Sequence, residues 1–190
     1  EQQRAAFDAE HGGVAMPEGC RLDLIEAGRV RGERITPPNA DPGKAILYNH
    51  GGGHAFGSAL SHRHLVARLA EAAGAIAFNM DYALAPEAPF PAGLEDAVRA
   101  WAYVRSQGFN PQDIVVAGES AGGNLTAALL LKLRELGEPM PAAAYLLSPW
   151  GDLAQTGASY EVCAERDPMV TRDALQGMAA MYCAGASPSD

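Results

Sequence analysis

Two glycine-bearing stretches hold the residue types that could run acyl-transfer chemistry. The first, Gly118-Glu119-Ser120-Ala121-Gly122-Gly123, matches G-x-S-x-G. A serine in that motif sits on a sharp strand-to-helix turn, and glycines two before and two after it remove side chains that would collide across the turn. Ser120 is therefore the leading nucleophile, although the pentapeptide alone also suits a tight connection in any α/β protein. The second stretch, His50-Gly51-Gly52-Gly53, lies within LYNHGGGHAFGSALSH. When a serine attacks an acyl carbonyl, the carbonyl oxygen becomes an alkoxide, and each well-placed backbone N–H contributes on the order of 3 kcal/mol to that transition state. Glycine lets the backbone approach closely enough. The expected donors are the amides of Gly52, Gly53 and Ala121, the last at a helix start whose positive end adds to the field. A phosphate-binding loop is the competing use of GGGHAFGS, but no lysine stands in the P-loop position.

The surrounding pattern supplies elements able to bring these loops together. RLDLIEAG and VRGERITP alternate about a glycine turn and read as a hairpin at Gly28. KAILYNH, AIAFNMDY, IVVAG and AAAYLLSPW are short apolar runs read as strands, IVVAG as a buried one by its composition. Between them lie three helical stretches. In LSHRHLVARLAEAAG, the residues Leu60, His64, Leu65 and Leu69 share helical spacing and Gly74 is the C-cap. LEDAVRAWAYVRSQ places Leu94, Ala97, Val98, Trp101 and Val104 on one face, and NLTAALLLKLRELG closes at Gly137. Strands alternating with helices imply an α/β fold, a mostly parallel sheet with helices on both faces. Ligands in such sheets bind at the carboxyl ends of the strands, where both glycine loops fall.

Composition narrows the partner. The 190 residues carry a net charge of −9 with 48% hydrophobic and 19% charged residues, which suits one core in one domain. Without a basic cluster, nucleic acid and anionic membrane surfaces are poor partners, and a small molecule is expected instead. No apolar run approaches the roughly 20 residues that cross a bilayer, and EQQRAAFDAEHGG lacks a signal-peptide core, so a cytoplasmic protein without stable membrane association is expected. Cys20, Cys163 and Cys183 are widely spaced and odd in number, fitting reduced buried thiols. His62 and His64, two apart on a helix, do not share a face and are read as solvent- or cap-facing; no metal or cofactor is expected.

Four motifs in order, His50-Gly51-Gly52-Gly53, DYALAPEAPFPA from Asp81 to Ala92, the Ser120 motif through Asn124, and SPWGDL from Ser148 to Leu153, resemble the hormone-sensitive-lipase-like family of α/β-hydrolases, which are serine carboxylesterases. The likeness runs from about the first strand to Asp190. It implies that His50 organises the oxyanion loop, that Glu119 supports the nucleophile structurally, and that residues 1–19 and 154–190 form a cap over a core of strands 1 to 6 at 20–153. Tyr160, Met169, Met178, Met181 and Tyr182 would then be available to line an apolar site. The family usually has arginine where Ala83 stands, so whatever that arginine anchors must be held otherwise. The family also often pairs into a homodimer through its last strand.

The chain-order rule for this fold is serine, then acid, then histidine. All five histidines, His11, His50, His54, His62 and His64, precede Ser120, so the triad acid and base are expected beyond residue 190, with the C-terminal strands of the core. Asp167-Pro168-Met169 comes too soon after SPWGDL and is assigned to the cap; Asp152 is read as a structural acid at the cap junction. The expected activity is hydrolysis of small to medium acyl esters, or lactones, through an acyl-enzyme on Ser120. The alternatives are an amidase or acyltransferase using the same serine, or a non-catalytic small-ligand receptor on the same fold.

Overall fold

A computed structural model describes residues 1–167 and 170–188. The chain opens with helix α1 (Gln2–Gly12), which the sequence pattern did not single out. Strands β1 (Arg21–Ala27) and β2 (Val30–Thr36) pair antiparallel about Gly28, whose φ of 65° requires glycine at the turn. Then follow β3 (Asp41–Asn49), α2 (Ala59–Ala73), β4 (Ala75–Asp81), α3 (Ala92–Ser106), β5 (Ile114–Glu119), α4 (Ala121–Leu136) and β6 (Ala143–Leu147). Two further helices, α5 (Ser159–Val162) and α6 (Arg172–Cys183), end the described chain. The sheet order is β1-β2-β4-β3-β5-β6, antiparallel across β1, β2 and β4 and parallel from β4 to β6.

Strands β4 and β5 and the second half of β3 are buried on both faces, which is why they read as unbroken apolar runs rather than alternating ones, whereas β6, at the sheet edge, is exposed to half-buried. On β3, Ile46 and Tyr48 turn toward α2, where they meet Val66, Ala67 and Ala70. Leu47 turns the other way, into the cluster of Phe78 and Val116 with Trp101 and Val104 of α3 and Leu125, Leu129 and Leu133 of α4. The last three recur every four residues, one stripe of α4 laid on the sheet.

Helix α2 starts where its chemistry dictates. The Ser58 hydroxyl accepts from the Ser61 amide at 3.2 Å while the Ser61 hydroxyl accepts from the Ser58 amide at 2.9 Å, a reciprocal cap. The Asp81 carboxylate adds a bond from the Ala59 amide at 2.6 Å, and Gly74 ends the helix in the left-handed conformation. The buried face differs from the expected one: Ser61, Val66, Ala67 and Ala70 are buried, whereas Leu60 is exposed on the sheet-distal side and abuts Gly12 of α1. Leu65 and Leu69 pack half-buried against the sheet-side cluster, so the apolar spacing registered the sheet through these two and α1 through Leu60. Arg63 on the same helix donates from Nε at 3.0 Å to both oxygens of Glu33, a carboxylate only 3% exposed. The expectation of buried thiols also needs correction, since Cys163 is exposed and Cys20 and Cys183 are half-buried; all three are free.

Candidate active site

Register brings the two glycine loops side by side. β3 and β5 pair with Asn49 opposite Gly118, so the residues that follow, His50-Gly51 and Glu119-Ser120, leave the sheet at the same level. Ser120 has φ 51° and ψ −119°, a conformation L-residues rarely hold and one that costs about 1–3 kcal/mol. It is fixed by three main-chain bonds: its amide donates to Leu147 at 3.0 Å, and its carbonyl accepts from Asn124 at 3.1 Å and from Trp150 at 2.9 Å. The flanking glycines are there for space. A Cβ on Gly118 would lie 2.4 Å from the Gly122 carbonyl oxygen, and one on Gly122 would lie 2.0 Å from that of Asn49. Buried side chains complete the joint, with Asn49 donating to the Thr126 hydroxyl at 3.0 Å and that hydroxyl donating to the Ala117 carbonyl at 3.2 Å. Ser120 is half-buried, and among the described residues nothing hydrogen-bonds its hydroxyl.

The oxyanion-loop candidates take conformations only glycine holds easily, φ 109° at Gly52 and 63° at Gly53. The loop turns back on itself as the Ala55 and Phe56 amides donate to the Gly52 carbonyl at 3.0 and 2.8 Å. Among the described residues no hydrogen bond uses the amide of Gly52 or Gly53, and Ala121 begins α4, so its amide has no partner within the helix. His50 is buried, its Nδ1 2.7 Å from the Gly51 carbonyl oxygen and its ring stacked 4.4 Å from that of Tyr82, whose hydroxyl donates to the His50 carbonyl at 2.7 Å. Burial, with His62 alongside, lowers its pKa from 6.5 to about 4, so it is a neutral structural ring at pH 7.

Glu119 links the loops. Its carboxylate accepts from the Gly51 amide at 2.5 Å, the Tyr48 hydroxyl at 2.6 Å and Nε2 of His62 at 2.8 Å. Burial opposes ionisation, yet the hydrogen bonds and charge from His62 and the Tyr48 hydroxyl outweigh it and hold the carboxyl below its ordinary pKa. The reading of His62 as solvent- or cap-facing is thereby corrected. It sits in the first turn of α2, above the carboxyl ends of the strands, where a side chain reaches sideways to the β5 turn rather than outward. A helix start placed at Ser58 was the available signal.

Helix α6 closes over this end of the sheet. A Cβ on Gly53 would lie 2.1 Å from Sδ of Met178, so Met178 covers that glycine, and Tyr182 stacks on His54 with ring centroids 3.8 Å apart. Ala121, Trp150 and Ala179 are buried together beneath Leu175 and Met178. Of the other expected lining residues, Tyr160 packs under Arg172, Met181 is exposed, and Met169 lies outside the described residues. His54, given no role from sequence, is buried with Nε2 donating to Asn124 Oδ1 at 3.2 Å, and burial lowers its pKa to about 4. From α1, Arg4 donates to the carbonyls of Ala55 at 2.7 Å and Ala85 at 2.6 Å and to Glu87 at 2.6 Å. That grip, with the Ala83 amide donating to Asp96 at 3.1 Å, holds the segment around Ala83. Asp152 accepts from the Ala154 and Thr156 amides and the Thr156 hydroxyl, a turn-forming role, and Asp167 accepts from the Val170 amide at 2.8 Å.

Among the described residues, no three His, Cys, Asp or Glu side chains cluster to hold a metal ion, and no helix is long and apolar enough to cross a membrane. Residues 46–190 match the family described as alpha/beta hydrolase fold. The acetyl-hydrolase of Streptomyces hygroscopicus is 41% identical over 191 residues, covering 99% of this chain and 62% of that protein. The esterase of Acinetobacter venetianus is 36% identical over 152 residues, covering 80% of this chain and 50% of its own length. Among solved structures, an esterase/lipase from an uncultured bacterium superposes with a TM-score of 0.92 at 39% identity, over 98% of this chain and 62% of that one. An esterase of the bacterial hormone-sensitive lipase family gives 0.93 at 38% identity, over 97% and 62%. This chain thus spans about three fifths of the length of the acetyl-hydrolase and of both esterase structures, 62% in each case. It belongs to the alpha/beta hydrolase family, in the hormone-sensitive-lipase-like branch.

Proposed function

We propose that the protein is a serine carboxylesterase acting on small to medium acyl esters, with Ser120 as nucleophile. The observation that carries the reading is the serine held at φ 51° and ψ −119° on the β5–α4 turn, level with a glycine loop that starts beside it. A receptor that only binds a ligand has no need of a strained serine there, whereas a nucleophile must be lifted clear of the turn. The Ser120 hydroxyl gives its proton to a general base as Oγ bonds to the acyl carbon. The carbonyl oxygen takes the negative charge and is met by the amides of Gly52, Gly53 and Ala121, at the positive end of α4. Collapse expels the alcohol, which takes up the proton, and water then hydrolyses the acyl-enzyme by the same steps.

His50 and Glu119 support this site without touching the acyl group. The chain-order rule puts the base and its orienting acid after residue 190. Residues 1–19 and 154–190, carrying α1 and α6, act as the cap over the acyl pocket around the 20–153 core. The same reading has the protein work in the cytoplasm without metal or cofactor, as a homodimer in the manner of its family. The test is p-nitrophenyl butyrate hydrolysis by the full-length protein beside Ser120→Ala. Turnover is expected to fall by at least about 10³-fold with folding intact, and unchanged turnover rejects Ser120 as nucleophile.

A further inference from the structure

The acyl-transfer reading leaves one buried polar contact unused. His62 reaches Glu119 from a helix start that is itself pinned, by the Ser58–Ser61 reciprocal cap, by Asp81 on the Ala59 amide and by the Ser58 hydroxyl donating to Asp8 at 2.8 Å. Its Nε2 donates at 2.8 Å to Glu119 Oε1, the same oxygen that accepts from the Gly51 amide at 2.5 Å. On the other side of the ring, Nδ1 lies 3.0 Å from the Ser61 hydroxyl and 3.3 Å from the Ser58 carbonyl oxygen, so both nitrogens are engaged. The ring also stacks against His50 with centroids 5.4 Å apart. A fixed helix end, an imidazole, a carboxylate and the first amide of the glycine loop thus form one continuous chain. Gly51 has no Cβ because one would lie 2.1 Å from Glu119 Oε1, so the carboxylate occupies the space beside the loop.

We propose that His62 is a positioning residue for the reaction. Through the Glu119 carboxylate it sets where the Gly51–Gly53 main chain lies, and so where the amides of Gly52 and Gly53 meet the developing oxyanion. The inference rests on the Ser120 reading above. Without His62 the carboxylate keeps the Tyr48 hydroxyl on one oxygen and the Gly51 amide on the other, so Glu119 and the glycine loop stay joined but lose their tie to the fixed start of α2. A displacement on the order of 1 Å at reacting groups can cost about 10²-fold in rate.

The experiment compares His62→Gln and His62→Asn in the full-length protein. The glutamine amide extends as far as imidazole Nε2 and keeps the bond to Glu119, whereas asparagine is shorter, stays polar and cannot reach. With p-nitrophenyl butyrate, His62→Asn is expected to lose about 10- to 100-fold in kcat with KM within about twofold, and His62→Gln to retain most of kcat. Binding of a trifluoromethyl ketone, which becomes an oxyanion on adding the serine, is expected to weaken in His62→Asn by the same factor as kcat/KM. The amide resonances of Gly52 and Gly53 should shift in His62→Asn and stay in place in His62→Gln. Equal losses in both variants, a change confined to KM, or wild-type kcat in folded His62→Asn would overturn the proposal. If Ser120→Ala keeps full activity, it is the nucleophile reading that has failed, and the amide shifts still report whether His62 positions the loop.

Discussion

Acidification is expected to unfold this protein through two buried histidines rather than through its carboxylates. His50 and His54 are each 1% exposed, and burial lowers the pKa of each from 6.5 to about 4. The unfolded chain therefore binds protons between pH 6.5 and about 4 that the folded chain refuses, so stability rises with pH across that window and is lost as pH falls through it. Between pH 7 and pH 4.5 each histidine accounts for roughly 2 to 3 kcal/mol, or about 5 kcal/mol for the pair, set against a typical domain stability of about 5–15 kcal/mol. Glu119, whose carboxyl is held below its ordinary 4.5, destabilises only below this window, and Asp81, raised by burial, acts in the opposite sense. Urea unfolding followed by circular dichroism at both pH values is the assay. At a slope of about 2 kcal/mol per molar the midpoint should drop by about 2 M. His54→Gln isolates one contribution, because the glutamine amide keeps the donor to Asn124 without a titrating ring. Any fixed cost of the substitution cancels in the difference between the two pH values, which should shrink by about 2 kcal/mol. If the variant loses as much stability between pH 7 and pH 4.5 as the wild type, the burial argument is wrong.

Three single substitutions probe the scaffold around the site. Gly122→Ala places a methyl 2.0 Å from the Asn49 carbonyl oxygen, a collision of backbone with backbone that must lift α4 off β3; a loss of at least about 3 kcal/mol in urea unfolding is expected, while Gly177→Ala in α6, with open space at its Cβ, should gain about 0.5–1 kcal/mol. Arg63→Ala leaves the Glu33 carboxylate buried without its partner and should cost about 3 kcal/mol at pH 7, measured the same way, with much of the loss recovered in the double variant Arg63→Ala with Glu33→Gln.

The parallel strands were legible because each is a short apolar run bounded by turn residues, and in β4 and β5 burial on both faces leaves no alternation to misread. β3, β5 and β6 fell where KAILYNH, IVVAG and AAAYLLSPW stood, differing only at their ends. The Gly118–Gly122 turn was legible because backbone space is a property of residue type: where main chains approach to contact, only glycine fits. Less of the surrounding support could be read. Arg4 meets Ala55 and Ala85 from 51 and 81 residues away, and His62 meets Glu119 from 57 positions along the chain. No periodicity encodes such contacts, which depend on how α1 and α2 come to rest against the loop ends. On α2 the spacing placed Leu65 and Leu69 against the sheet-side cluster but not Leu60, since leucines mark contact with any apolar neighbour and α1 was one.

Strain and support are gathered at one end of the sheet. Of the non-glycine residues with positive φ, His54, Ser120 and Ser148 follow β3, β5 and β6 in turn, while Gln155 and Ala184 lie later in the chain, and each costs about 1–3 kcal/mol when left to itself. His54 and Ser120 are each held from outside their own loops. His54 is fixed by Asn124 and Tyr182, and Ser120 by the carbonyl of Leu147 and the amide of Trp150, which itself continues the loop begun at Ser148. The β6 loop thus stabilises the β5 turn, α4 and α6 stabilise the β3 loop, and Glu119 joins β5 to β3 through Gly51. A site held in this way is fixed in place before any substrate arrives. On the reading proposed above, the amides of Gly52, Gly53 and Ala121 would then need no reorganisation as charge forms, and such preorganisation is where most of the electrostatic rate advantage in acyl transfer arises.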